Sequence, residues 1–196
     1  TRERYFEAYM DRPVQQQLRD VTDAEVPGTF ELYRPNTRTR LARLDSSSGW
    51  ANGTLHVRKY DAEFNFSAYQ VVLKNLTVNF TTTTLVDSVD LIPTSSVIIP
   101  VTNKILKVFA LNVSLPYANA SVTVNYSDSG YTFEPSVRLY RCAAWNYSSR
   151  TCTGNWSQVN GSAPDLVRHT IFRYVPGFSA YAAAEDLGYI ASTAAV

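Results

Sequence analysis

At 196 residues and 21.9 kDa, the chain is long enough to bury a real core, as one large all-β domain or two small ones. Hydrophobic residues make up 45% and charged residues only 18%, and thirteen tyrosines with many Ser, Thr and Val residues favour strands. A net charge of +1 and the lack of any apolar run near about eighteen residues exclude the usual signatures of a nucleic-acid binder and of a membrane-spanning helix.

Residues 1–45 hold sixteen of the 35 charged residues and none of the glycosylation triplets found later. The start at Thr1, with neither Met nor a signal-type apolar segment, reads as a mature, processed chain. It also argues against the long apolar first helix on which type IV pilin-like filaments assemble. A short helix is expected around Val14 to Val21, "VQQQLRDV", opened by Pro13, with Asp20 and Asp23 leaving its end undefined. The segment therefore reads as an extended or partly helical amino-terminal arm that meets another protein surface. Its basic run Arg34 to Arg43, "RPNTRTRLAR", reads as a solvated face or subunit contact, because a nucleic-acid site needs a broader basic patch.

Residues 46–186 consist of short alternating runs such as "TLHVRKY", "AYQVVLKNLTVNF", "KILKVFALNVSL", "SVTVNY" and "HTIFRYV", separated by Pro, Gly, Asn and Ser. That spacing predicts an all-β fold built from one or more immunoglobulin-like β-sandwiches.

Ten of the twelve asparagines open Asn-X-Ser/Thr: Asn52, Asn65, Asn75, Asn79, Asn112, Asn119, Asn125, Asn146, Asn155 and Asn160. With Ser and Thr at 37 of 196 positions, chance gives roughly two. The excess predicts N-linked glycans and an extracellular, cell-surface location. In "VVLKNLTVNFTTTT", Val72, Leu76, Val78 and Phe80 are expected to face the core, and Asn75, Thr77, Asn79 and Thr81 to face water. Phe109, Leu111, Val113 and Leu115 should likewise face in, with Asn112 and Ser114 out. Val122, Val124 and Tyr126 should oppose Thr123 and Asn125.

Cys142 and Cys152 are the only cysteines, and in an exported chain they should be joined across the tip of a hairpin. Two thiols without nearby histidines supply only half a tetrahedral metal shell. His56 and His169 fall in expected strands and in no catalytic motif; Asp165 to His169 carries no specific triad geometry. The acids after residue 50 show no paired arrangement for sugar hydrolysis, and Asp87 with Asp90 shows no EF-hand spacing. The chain is read as a non-enzyme without cofactor. Trp50, Trp145, Trp156, Tyr174 and Tyr181 could form a sugar platform, but core and turn packing is the ordinary use of such residues.

In the last third, Val137, Leu139-Tyr140-Arg141, Trp145, Gly154-Asn155-Trp156 and "HTIFRYVPGFSAYAAAE" form a series that resembles the carboxy-terminal PGF-pre-PGF β module of archaeal surface glycoproteins. Pro176-Gly177-Phe178-Ser179 and Tyr181-Ala182 match its last element. The resemblance covers residues 135–186 and implies an archaeal extracellular structural protein with no catalytic residues to carry over. Residues 187–196 lack the membrane helix of the module's usual anchored form and are expected to act as a free tail rather than an anchor.

Together these features predict a glycosylated building block whose partner is its own kind. The expected assembly is a filament or pilus formed by strand donation, with Tyr5, Phe6, Tyr9 and Met10 as first donor anchors and the tail as second. Such a head-to-tail contact does not close and yields fibres. The alternatives are a surface-layer glycoprotein, or a monomeric adhesin or carbohydrate-binding module.

Overall fold

Alternating side chains separated by turn formers fold into antiparallel strands, because each run can bury one face and wet the other. The computed structural model describes residues 11–46 and 49–189. In chain order the strands are β1 (Asp11–Gln17), β2 (Gly28–Tyr33), β3 (Arg40–Asp45), β4 (Trp50–His56), β5 (Arg58–Phe66), β6 (Tyr69–Val78), β7 (Ser88–Leu91) and β8 (Thr102–Asn112). They continue with β9 (Asn119–Asn125), β10 (Val137–Cys142), β11 (Trp145–Asn146), β12 (Thr151–Cys152), β13 (Trp156–Gln158), β14 (Pro164–Asp165), β15 (Thr170–Val175) and β16 (Ala180–Asp186).

Two large sheets carry the core. One runs β14-β15-β9-β6-β5-β2-β3 and the other β13-β10-β16-β8-β7. Phe30, Phe64, Val71, Val122 and Ile171 of the first share one core with Leu111, Leu139 and Tyr181 of the second. Aromatic rings bridge the layers, with Phe109 4.4 Å from Tyr69 and 5.6 Å from Phe66 between centroids. The Tyr69 hydroxyl then donates to the Val108 carbonyl at 2.8 Å, so a core tyrosine keeps its polar end satisfied. The architecture is all-β and sandwich-like.

The five-stranded sheet is covered on its other face as well. Val108, Ala110, Tyr140, Ala180, Ala182 and Ala184 pack there against Ile92, Val97, Ile99 and Trp145 in a second apolar layer. The small alanines of β16 let the loop through Val97 and Ile99 lie close.

The amino-terminal region departs from expectation. Where a helix was expected from Val14, the chain extends as β1 and pairs with β4 from Asp11↔His56 to Gln17↔Trp50. Val14, Gln16 and Leu18 are buried at a spacing of two, so burial on one face overrides the weak helical signal. Gln16 also ties this strand to residues 85 and 86: its Oε1 accepts from the Leu85 and Val86 N–H groups and its Nε2 donates to the Val86 carbonyl, each at 2.8 Å. Leu18, Val26, Phe30, Leu32 and Leu44 lie in the main core, so residues 11–45 are an integral layer of the fold rather than an appended arm. Residues 135–186 are also divided, since β15 joins the seven-stranded sheet while β10 and β16 join the five-stranded one.

Candidate functional site

The strands set where the ten triplet asparagines lie, and none of them is buried. Asn52, Asn112, Asn119, Asn125, Asn146, Asn155 and Asn160 are exposed, and Asn65, Asn75 and Asn79 are half-buried. Phe109, Leu111, Val122, Val124 and Tyr126 are buried and Asn112 and Asn125 exposed, as expected, but Val113 and Leu115 are only half-buried, and β8 does not alternate because Val108 and Ala110 are buried on its other face.

On β6 the expected parity fails halfway. Tyr69, Val71 and Leu73 face the core, then Leu76 and Val78, so the inward set shifts by one residue between Leu73 and Leu76. Val72 lies on the wet side and Phe80 is 51% exposed. The cause is a bulge: Tyr60 pairs with Leu76 and Ala62 with Leu73, leaving Asp61 opposite both Lys74 and Asn75. Asn75 takes φ 55°, a conformation asparagine tolerates better than most residues. Asp61 holds the distortion, accepting from the Asn75 N–H at 3.1 Å, the Asn36 N–H at 3.0 Å and Lys74 Nζ at 2.8 Å. Burial alone would raise this carboxyl, but those donors outweigh it and hold it below the usual carboxylate range.

Local hydrogen bonding divides the asparagines. The Oδ1 of Asn79 accepts from the Thr81 N–H at 2.9 Å, that of Asn125 from the Ser127 N–H at 2.9 Å, and that of Asn146 from the Ser148 N–H at 2.9 Å. Each is an Asx-type turn closed onto the triplet's own third residue, and it fixes the amide by its oxygen. Asn65 is tied at both ends, donating Nδ2 to Glu63 at 3.2 Å and accepting from Gln70 at 3.0 Å.

Cys142 and Cys152 are joined, with their Cα atoms 5.9 Å apart, and β11 pairs with β12 as the expected hairpin. Asn146 lies on β11 itself, and Asn155 and Asn160 follow the hairpin in sequence; all three are exposed. Arg150, at the hairpin turn with φ 53°, reaches back to β7 and grips Asp90 through Nη2 at 2.6 Å and Nε at 3.2 Å. Asp90 is 0% exposed; burial pushes its carboxyl up, and the guanidinium opposes that push only in part.

His169 lies in the turn ahead of β15 at φ 52° instead of within a strand. Its Nδ1 meets Glu134 at 2.8 Å, and Glu134 also accepts from Tyr126 Oη at 3.0 Å. Burial would raise the Glu134 carboxyl, yet these bonds lower it. Asp165 bonds Arg168 and the Val167 N–H. Nothing in the sequence links Glu134 to His169, 35 positions apart, so this cluster was invisible there. The basic run is matched by acids: Arg40 and Arg43 reach Glu31 at 2.7 and 3.4 Å, and Arg43 reaches Asp45 at 2.9 Å. Tyr33 and Arg40 hold Glu31 below the usual range. Of the aromatic residues, Tyr181 and Trp145 are core, Trp156 packs edge-on to Trp145, and Trp50 and Tyr174 are exposed.

Among the described residues, no group of three or more His, Cys, Asp or Glu converges on a cation position, and no helix is long and apolar enough to cross a membrane. The donor anchors Tyr5, Phe6, Tyr9 and Met10 and most of the 187–196 tail lie outside the described residues. Comparison with family models, with curated proteins and with solved structures gives no match.

Proposed function

We propose that this chain is an N-glycosylated structural subunit of an extracellular, cell-surface assembly of archaeal type, most simply a filament built by strand donation between copies. The observation that carries the reading is that ten triplet asparagines, several times the chance number, all sit at exposed or half-exposed positions spread over the sheets, their connections and the hairpin. A disulfide-clipped hairpin suits an oxidising, extracellular setting. The immunoglobulin-like reading of the sandwich belongs to the same proposal, supported by two antiparallel sheets around one aromatic core.

Strand donation finds support in the geometry around residue 11. The first described residues, Asp11–Gln17, form a paired strand, and Tyr5, Phe6, Tyr9 and Met10 precede it in the sequence. Strands β3 and β7 end their sheets in sequence-distant positions where a further strand could pair.

Glycopeptide mass spectrometry of the natively produced chain tests the first half: sugar at most of the ten asparagines is expected, and bare asparagines throughout would overturn it. Negative-stain microscopy tests the second. Fibres that disappear on deletion of residues 1–10 support donation, whereas sheets or single particles overturn it in favour of a surface layer or an adhesin.

A further inference from the structure

The wet face of the seven-stranded sheet holds a cleft of about 360 Å3, near the small end of ligand sites. Register places its lining on one face. Tyr174 lies opposite Ser121, which lies opposite Val72, which lies opposite Glu63; Phe172 lies opposite Thr123, and Thr123 opposite Gln70. Asn119, paired with Lys74, lines the same cleft one step along β9.

Two properties point to the occupant. Phe172 is 46% and Tyr174 70% exposed, with their rings edge-on at 5.2 Å, so two large apolar faces stand uncovered on an otherwise polar surface. The charges in the lining cancel, Arg38 and Lys74 against Asp61 and Glu63, which favours a neutral ligand over an ion. A pyranose ring presents C–H groups on one face and hydroxyls around its edge. It suits aromatic faces beside Gln70, Glu63 and Lys74, whose amide, carboxylate and ammonium groups exchange hydrogen bonds with hydroxyls.

The source of that sugar is close at hand. Asn119 is exposed, opens a triplet with Ser121, and stands diagonal to Tyr174 across the β9–β15 pair, where such neighbours lie about 7 to 8 Å apart. We propose that the glycan carried by Asn119 folds back into this cleft and lays its sugar rings against Tyr174 and Phe172. The inference rests on the glycosylation reading above and adds a place where one glycan is held as part of the fold.

Hydroxyl-radical footprinting of the natively glycosylated chain tests it, alongside Asn119→Gln and, as control, Asn125→Gln. The expected result is sugar at Asn119 by mass spectrometry and a severalfold rise in oxidation of Tyr174 and Phe172 in Asn119→Gln alone. Equal oxidation with Asn119 occupied overturns the inference and leaves glycosylation standing. A bare Asn119 in the native chain overturns both at this position. Oligosaccharide released from the same protein and added to Asn119→Gln supplies the last arm. Protection only at high concentration supports a tethered glycan; protection at low concentration makes the cleft a site for free sugar and overturns the assignment to Asn119.

Discussion

The two large sheets bury themselves in different ways. Along β9, Ala120, Val122 and Val124 go in, while on the other face Asn119 and Asn125 are exposed, Thr123 is half-exposed and Ser121 is covered, so that face of the seven-stranded sheet still meets water. Along β16, every residue from Ala180 to Glu185 is buried, because the five-stranded sheet has an apolar layer on both sides. The difference teaches what each sequence pattern means: apolar residues interleaved with polar ones mark a strand with a face that can carry polar or glycosylated side chains, and a nearly unbroken run of alanines marks a strand with no wet side.

The sharpest way to break this contrast is a charge on each sheet. Ala182→Glu places an unpaired carboxylate in the second apolar layer and is expected to cost at least about 4 kcal/mol or abolish folding. Thr123→Glu, half-exposed on the wet face, should move stability by no more than about 0.5 kcal/mol. Urea unfolding measures both, and similar values would erase the distinction.

Next in size is Arg150→Ala, which strands the buried Asp90 carboxylate beneath the second layer and should cost about 3 to 5 kcal/mol. Adding Asp90→Asn should recover part of that loss; a double variant as unstable as their sum would mean the pair is not coupled.

The double change Cys142→Ser, Cys152→Ser follows, with an expected loss of about 3 kcal/mol from the loop it opens. Amide exchange should rise first in β11 and β12, and a uniform rise over both sheets would show the hairpin to be part of the main cooperative unit.

Much of this contrast was legible. Asn112 and Asn125, the inward Phe109 and Val124, and the hairpin across Cys142 and Cys152 follow from spacing alone. The bulge did not show: Val71, Val72 and Leu73 are all apolar, so local pattern leaves the inward pair undetermined, and the arbiter is Asp61 on the neighbouring strand. Strand β1 was missed because "VQQQL" satisfies a helical reading as well as an extended one. The partner that decides it, β4, lies more than thirty residues away. Glu134 with His169, and Asp90 with Arg150, are long-range pairs without local signature.

The smallest expected effect separates the two sheets by pH. The folded-state value of Asp61 lies below its ordinary 3.8, so its stabilisation is complete above about pH 4 and fades as pH falls through the folded value. Asp90 on the five-stranded sheet works in the opposite sense: its raised value means that ionisation weakens the fold as pH climbs from its ordinary 3.8 through the folded value. Asp61→Asn should cost about 1 to 2 kcal/mol at neutral pH and flatten the acid side of the stability curve. Asp90→Asn should instead flatten the rise in stability on acidification just above pH 4. Urea midpoints taken from pH 2 to 7 distinguish the two, and an unchanged acid limb in Asp61→Asn would remove that carboxylate from the account.

The amide of Gln16 has a mechanical consequence. Tension entering the chain at Asp11 runs along β1, where seven residue pairs with β4 lie side by side and the buried Gln16 side chain clasps residues 85 and 86. A pull on the amino terminus must therefore slide a strand that is paired to β4, bonded through the Gln15 N–H to the Thr83 carbonyl and clasped from its buried face by Gln16.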